Sequence, residues 1–173
     1  EWHTDVSCDL EPPMGSILYM LETPREGGDT AFANMYLAYE SLSEPLRQMC
    51  DGLTALHTSA HVFSLTAYRR DDKSFPESVH PVVRTHPVTR RKCLFVNRGF
   101  TTRIIELRKN ESDALLDLLF RHIETPEFQC RFHWKKHSVA FWDNRSALHR
   151  AIFDYHPAVR HGHRVTIKGD RPF

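Results

Sequence analysis

Trp2-His3-Thr4-Asp5 sets an imidazole and a carboxylate two residues apart. In an extended segment residues i and i+2 face the same way, so both side chains can reach one ion. A third donor stands far along the chain, where the β-prone run ending at Trp142 leads through Asp143-Asn144-Arg145-Ser146-Ala147-Leu148 to His149. Two histidines and one carboxylate on one face of an octahedral metal leave three positions open, the donor set of non-haem iron oxygenases. Arg160 and Arg164 follow His149 by 11 and 15 residues. A guanidinium grips carboxylate or sulfonate oxygens with a planar fork, and a buried one needs such an anion, because an unpaired buried charge is costly. Thr30, after Gly27-Gly28-Asp29, offers a hydroxyl donor to the same anion. The competing reading of the two arginines is a solvated basic strand edge, with Arg150, His161, His163 and Lys168 nearby.

The chain has twelve histidines, most of which must be surface or structural residues. His57 and His61, four apart, would form a metal pair on a helix, but no glutamate follows His57 in the HExxH manner. His161 and His163 alternate along a strand and read as surface or core-polar residues. His80, His86, His122, His133, His137 and His156 read as structural.

Short strands and a few helices must position these groups. Ser16–Thr23, Pro81–Thr85, Cys93–Asn97, Phe128–Trp134, Ser138–Trp142 and Arg164–Lys168 read as strands, the second and third as a hairpin. Residues 25–30 read as a turn or loop. Asn34–Cys50 reads as helix restarting at Ser43-Glu44-Pro45. Asn110–Ile123 reads as a helix capped by Asn110, with Leu115, Leu116, Leu118, Leu119 and Ile123 on its apolar face. This order predicts an antiparallel sandwich or jelly roll whose first and last strands converge on one site. A length of 173 residues suits a single domain, 1–173. A net charge of +1 gives no electrostatic case for nucleic acid or an anionic membrane as partner. No apolar run approaches a membrane span. Cys8, Cys50, Cys93 and Cys130 lack CxxC spacing, which favours a reducing, cytoplasmic setting over disulfides or a zinc knuckle.

Taken in order, several segments resemble the taurine dioxygenase (taurine/2,4-D dioxygenase) family. They are WHTD at 2–5, GGDT at 27–30, HPVVRTHP at 80–87, FVNRGFT at 95–101, WDNR at 142–145 with His149, and RVTIKGDRP at 164–172. The resemblance runs the length of the chain and is specific for the family, less so for the substrate. It implies a mainly β double-stranded β-helix with inserted helices. It also implies that an N-terminal section precedes Glu1, making this the C-terminal portion of a longer chain. By it, His3, Asp5 and His149 ligate Fe(II), and Arg160 with Thr30 holds the far carboxylate of 2-oxoglutarate. Arg164, the Val6 N–H, Phe63 and Phe100 border a small anionic organic substrate, with ordinary core packing the alternative for Phe63. The implied reaction consumes O₂, converts 2-oxoglutarate to succinate and CO₂, and hydroxylates taurine or another alkanesulfonate to release sulfite and an aldehyde.

Leu148 and Arg150, beside the last ligand, replace residues common in taurine-specific members (a glutamine and an aromatic), which keeps an alkyl sulfate, an aryloxyalkanoate or another small carboxylate as alternative substrates. A non-catalytic jelly-roll binding protein is the alternative of another class, and a zinc hydrolase built on His57 and His61 is the third. A homo-oligomer is left open.

Overall fold

The computed structural model describes residues 1–60 and 75–173. Its elements, in chain order, are β1 (Gly15–Glu22), β2 (Thr30–Asn34), α1 (Met35–Glu40), α2 (Glu44–Asp51), β3 (Thr54–Thr58), β4 (Glu77–Pro81), β5 (Val83–Thr85), β6 (Lys92–Leu94), β7 (Thr101–Ile104), α3 (Lys109–Ile123), a 3₁₀ turn (Pro126–Phe128), β8 (Gln129–Phe132), β9 (Val139–Asp143), β10 (Ala147–Ala151) and β11 (His161–Ile167). Three antiparallel sheets run β11-β1-β9, β10-β2-β8 and β4-β3-β7, and β5-β6 form a separate hairpin.

The first and last strands do converge. Ile17 of β1 pairs with Val165 of β11 on one side and with Phe141 of β9 on the other. These three residues share one face of the sheet, as do Tyr19, His163 and Val139. The opposite face carries Leu18, Trp142 and Arg164, which line a cavity together with Thr30, His149 and Ala151 of the second sheet. The site therefore lies between the two sheets of a jelly roll.

The second sheet divides the molecule. Thr30 and His149 face the cavity, whereas Ala31, Ala33 and Leu148 join the main hydrophobic core. That core is closed from the helix side by Met35 and Ala38 of α1 and by Leu116, Leu119, Phe120 and Ile123 of α3. The four α3 residues follow the i, i+3, i+4, i+7 spacing of one helical face. Leu118 lies off that stripe and is exposed.

Helix ends are explained by local chemistry. Asn34 Oδ1 accepts the N–H groups of Tyr36 and Leu37 at the start of α1, and Pro45 occupies the first turn of α2. At α3 the cap residue is Arg108, not Asn110. Glu111 reaches back to accept the Arg108 N–H at 3.0 Å, the carboxylate half of a capping box. β2, β3, β4, β7 and β10 are strands the sequence reading did not identify, and the predicted hairpin of Pro81–Thr85 and Cys93–Asn97 is formed by β5 and β6.

Candidate active site

His149 sits in the middle of β10 rather than at a strand end, and backbone pairing locks it in place. Its N–H donates to His3 O at 2.8 Å and its carbonyl accepts the His3 N–H at 3.1 Å. This antiparallel bridge brings the two imidazole rings to a centroid separation of 4.3 Å. Gly99 makes room for it, since a Cβ there would stand 2.8 Å from His3 Cβ. Asp5, two residues on, places Oδ1 at 3.6 Å from His149 Nε2 and 4.0 Å from His3 Nε2. Donor atoms of all three lie within 4.8 Å of one another, and they form the one such His/Cys/Asp/Glu group among the described residues.

Each donor is held in a state that suits a metal. His3 Nδ1 donates to Glu1 O at 3.0 Å, which leaves the lone pair on Nε2. Burial pushes the His149 ring down to about 3, helped by the neighbouring His3, so the ring is neutral at physiological pH. His3 is lowered by burial as well. Burial alone would raise the Asp5 carboxyl, but His149, the Ser16 hydroxyl, Arg164 and His3 together hold it below its usual range. Ser16 Oγ and Asn144 Nδ2 both donate to Asp5 Oδ2, at 2.5 and 3.3 Å, so Oδ1 is the oxygen turned to the histidines. Asn144 is itself oriented by Trp142 Nε1, which donates to its Oδ1 at 2.9 Å. Trp142 also packs its ring 4.9 Å from His149. Val6, directly after Asp5, has φ +46°, a left-handed backbone that a β-branched residue adopts only under constraint. Neutral imidazoles and an ionised carboxylate, converged and braced, fit a divalent first-row metal.

The cavity beside these groups has a volume of about 280 Å³ and is lined by His3, Leu18, Thr30, Trp142, His149, Ala151, Arg160 and Arg164. Arg160 Nε donates to Gly28 O at 2.8 Å and its Nη2 to Thr30 Oγ1 at 3.3 Å. Its guanidinium lies 5.6 Å from the Trp134 ring centroid, and Trp134 Nε1 donates to Thr30 Oγ1 at 3.0 Å. Arg164 Nη1 donates to Asp5 Oδ1 at 3.0 Å. The structure thus brings together His3, Asp5, His149, Thr30, Arg160 and Arg164. Phe100 is buried with its ring edge-on to His3 at 6.4 Å. Phe63 and His61 lie outside the described residues.

Two expectations need correction. Arg150 and Leu148 do not sit at the cavity, because alternation along β10 sends them to its other side. Leu148 is core, and the Arg150 guanidinium lies 5.2 Å from the Trp2 ring centroid. His57 belongs to no metal-competent group among the described residues. It is fully buried beneath the Asp5 turn, with Nδ1 3.0 Å from Ser7 Oγ and 3.3 Å from Thr101 Oγ1.

Burial holds the His57 ring neutral, its pKa pushed down to about 3, with His80 adding to the shift. The unfolded chain takes up that proton below about 6.5 and the folded chain does not. The stability this ring contributes is therefore complete above pH 6.5 and is lost as pH falls toward 3. We expect the metal-free protein to lose about 2 kcal/mol between pH 6.5 and 5 through His57 alone. Thermal melts of wild type and His57→Gln across that range check this, with a flatter pH dependence in the variant.

Ser16, Asn144, Trp134 and Trp142 are the site residues that sequence reasoning missed. Asn144 stood within a quoted motif, and Trp134 within an expected strand, but neither carries a metal ligand or a charge to mark it.

The family described as Taurine catabolism dioxygenase TauD, TfdA family matches residues 1–166. An alpha-ketoglutarate-dependent sulfonate dioxygenase of Saccharomyces cerevisiae is 39% identical over 175 residues, covering 99% of this chain and 42% of that protein. An alpha-ketoglutarate-dependent sulfate ester dioxygenase of Pseudomonas putida is 36% identical over 182 residues, covering 99% of this chain and 60% of that protein. The crystal structure of a taurine dioxygenase from Burkholderia xenovorans superimposes with a TM-score of 0.87 at 42% identity, covering 99% of this chain and 57% of that one. The chain therefore spans about half the length of the curated relatives it matches. With the jelly roll and the converged triad already in place, the family match over nearly all its length means that this chain belongs to the TauD, TfdA family.

Proposed function

We propose that this chain is the catalytic domain, 1–173, of an Fe(II)- and 2-oxoglutarate-dependent dioxygenase that hydroxylates a small anionic substrate. Taurine or another alkanesulfonate is the first candidate. The observation that carries this reading is the convergence of a two-histidine, one-carboxylate triad and two arginines on one cavity. His3, Asp5 and His149 would hold Fe(II). When bound, the metal with 2-oxoglutarate and O₂ supplies the oxidative chemistry of the reaction.

The protein's own residues bind and orient. Arg160 and Thr30 take the far carboxylate of 2-oxoglutarate, with Trp134 fixing the Thr30 hydroxyl. Arg164, which donates to Asp5 Oδ1, would hold the substrate anion with its fork. Phe100, and Phe63 by the family resemblance, supply an apolar border, and the Val6 N–H adds a backbone donor. Trp142 and Leu18 narrow the cavity and exclude water. A cytoplasmic location suits four cysteines that lack CxxC spacing. None of the described helices is long and apolar enough to cross a membrane.

A substrate panel with the full-length protein, Fe(II) and 2-oxoglutarate tests the reading. Succinate and sulfite appearing in step with taurine or another alkanesulfonate are the expected products. Inorganic sulfate from an alkyl sulfate, or turnover of an aryloxyalkanoate, would move the substrate class while keeping the chemistry. Failure to bind Fe(II) and 2-oxoglutarate would leave a non-catalytic jelly roll.

A further inference from the structure

The segment joining β10 to β11 carries Arg160, and it is stapled to the Gly27–Thr30 loop at several points. Ile152 N donates to Asp29 O at 2.9 Å, and Asp154 Oδ1 accepts the Gly28 N–H at 2.7 Å. Gly28 is thereby held from both sides, its N–H by Asp154 and its carbonyl by Arg160 Nε at 2.8 Å. The glycines are required by this arrangement. Both have positive φ, +75° at Gly27 and +72° at Gly28. A Cβ on Gly27 would stand 2.5 Å from Asp154 Oδ1, and one on Gly28 would press on Pro24 at 2.9 Å and Arg160 Cδ at 3.2 Å. Asp154 is braced in turn. Arg131 reaches its Oδ2 at 3.4 Å while also pairing with buried Asp29, which His133 Nδ1 meets at 2.7 Å.

We propose that Asp154 is a positioning residue for Arg160, acting through the Gly27–Gly28 turn to aim the guanidinium at the cosubstrate carboxylate. This rests on the assignment of Arg160 to 2-oxoglutarate. Asp154 touches no ligand in this scheme. It fixes one face of Gly28, and the Gly28 carbonyl fixes Arg160 Nε, leaving the rest of the fork for the anion. The side chain is 45% exposed, so its removal takes little packing from the fold.

The test uses full-length, Mn(II)-loaded enzyme for 2-oxoglutarate binding by calorimetry, and the Fe(II) enzyme for KM and kcat. Asp154→Ala is expected to weaken 2-oxoglutarate binding roughly 3- to 10-fold, the effect of one lost positioning hydrogen bond. The prime-substrate KM, kcat and melting temperature should stay close to wild type. Asp154→Asn keeps an acceptor oxygen for the Gly28 N–H and should restore binding to within about twofold. Unchanged 2-oxoglutarate binding in Asp154→Ala overturns the proposal. So does an asparagine variant as weak as the alanine, or a loss shared equally by both substrates with a lowered melting temperature. If the wild-type enzyme itself binds no 2-oxoglutarate, the cosubstrate assignment of Arg160 falls with it.

Discussion

Replacing His149 with alanine is expected to abolish metal-dependent succinate formation and to weaken divalent-metal binding about a hundredfold or more. The size follows from ligand arithmetic. Structural zinc sites gather roughly 10–16 kcal/mol from four ligands, so one ligand contributes about 3 kcal/mol, and each 1.4 kcal/mol is tenfold. The fold should survive, because the β10 backbone keeps its ladder with β2 and its bridge to His3. The substitution also removes a buried ring whose Nδ1 has no hydrogen-bond partner among the described residues. Thermal melts with and without Mn(II) separate the two effects: wild type should gain stability from the ion by mass action, and the variant should not. Retained turnover would remove His149 from the ligand set.

The second large effect is expected at Arg160. Replacement by alanine should raise the 2-oxoglutarate dissociation constant about 10- to 100-fold, because a charge-assisted contact to a carboxylate contributes roughly 1.5–3 kcal/mol. Prime-substrate affinity should change little. Arg164→Ala should do the reverse, weakening the prime substrate and leaving the cosubstrate nearly unaffected. Calorimetry with each ligand on both variants distinguishes the arginines, and the opposite pattern would mean that their roles are exchanged. The assignment is supported by Arg160 sharing Thr30 Oγ1 with Trp134, while Arg164 stands over Asp5.

Much of this site was legible because its chemistry depends on residue types that are costly to bury. His3, Asp5, His149, Arg160 and Arg164 announce themselves by charge or ring nitrogen, and their spacing survives in one dimension. β1 and α3 were legible because their apolar patterns are long enough to show a period. Short strands were not. β10 reads Ala-Leu-His-Arg-Ala, and each of its faces carries one buried residue, Leu148 in the core and His149 at the cavity, so no polar alternation marks it. β3 and β7 are too short to show a period against their neighbours. Asn144, Ser16 and Trp134 were illegible for another reason: an amide, a hydroxyl or an indole gains meaning only from the atom it faces, and that is set by tertiary structure. The placement of Arg150 at the site failed because nearness in sequence to His149 is not nearness in space along a strand.

The dividing role of the second sheet has a consequence for how this protein can change over time. Along β10, His149 and Ala151 answer to the reaction, while Leu148 answers to folding. Substitutions at Ala151 can therefore reshape the cavity without loosening the core, and replacements at Leu148 can repack the core without touching the reactants. Adaptation to a new substrate and drift in stability proceed on interleaved positions of the same five-residue strand. A single-residue insertion would exchange the two sets at once, so this strand tolerates substitution far better than a shift in length.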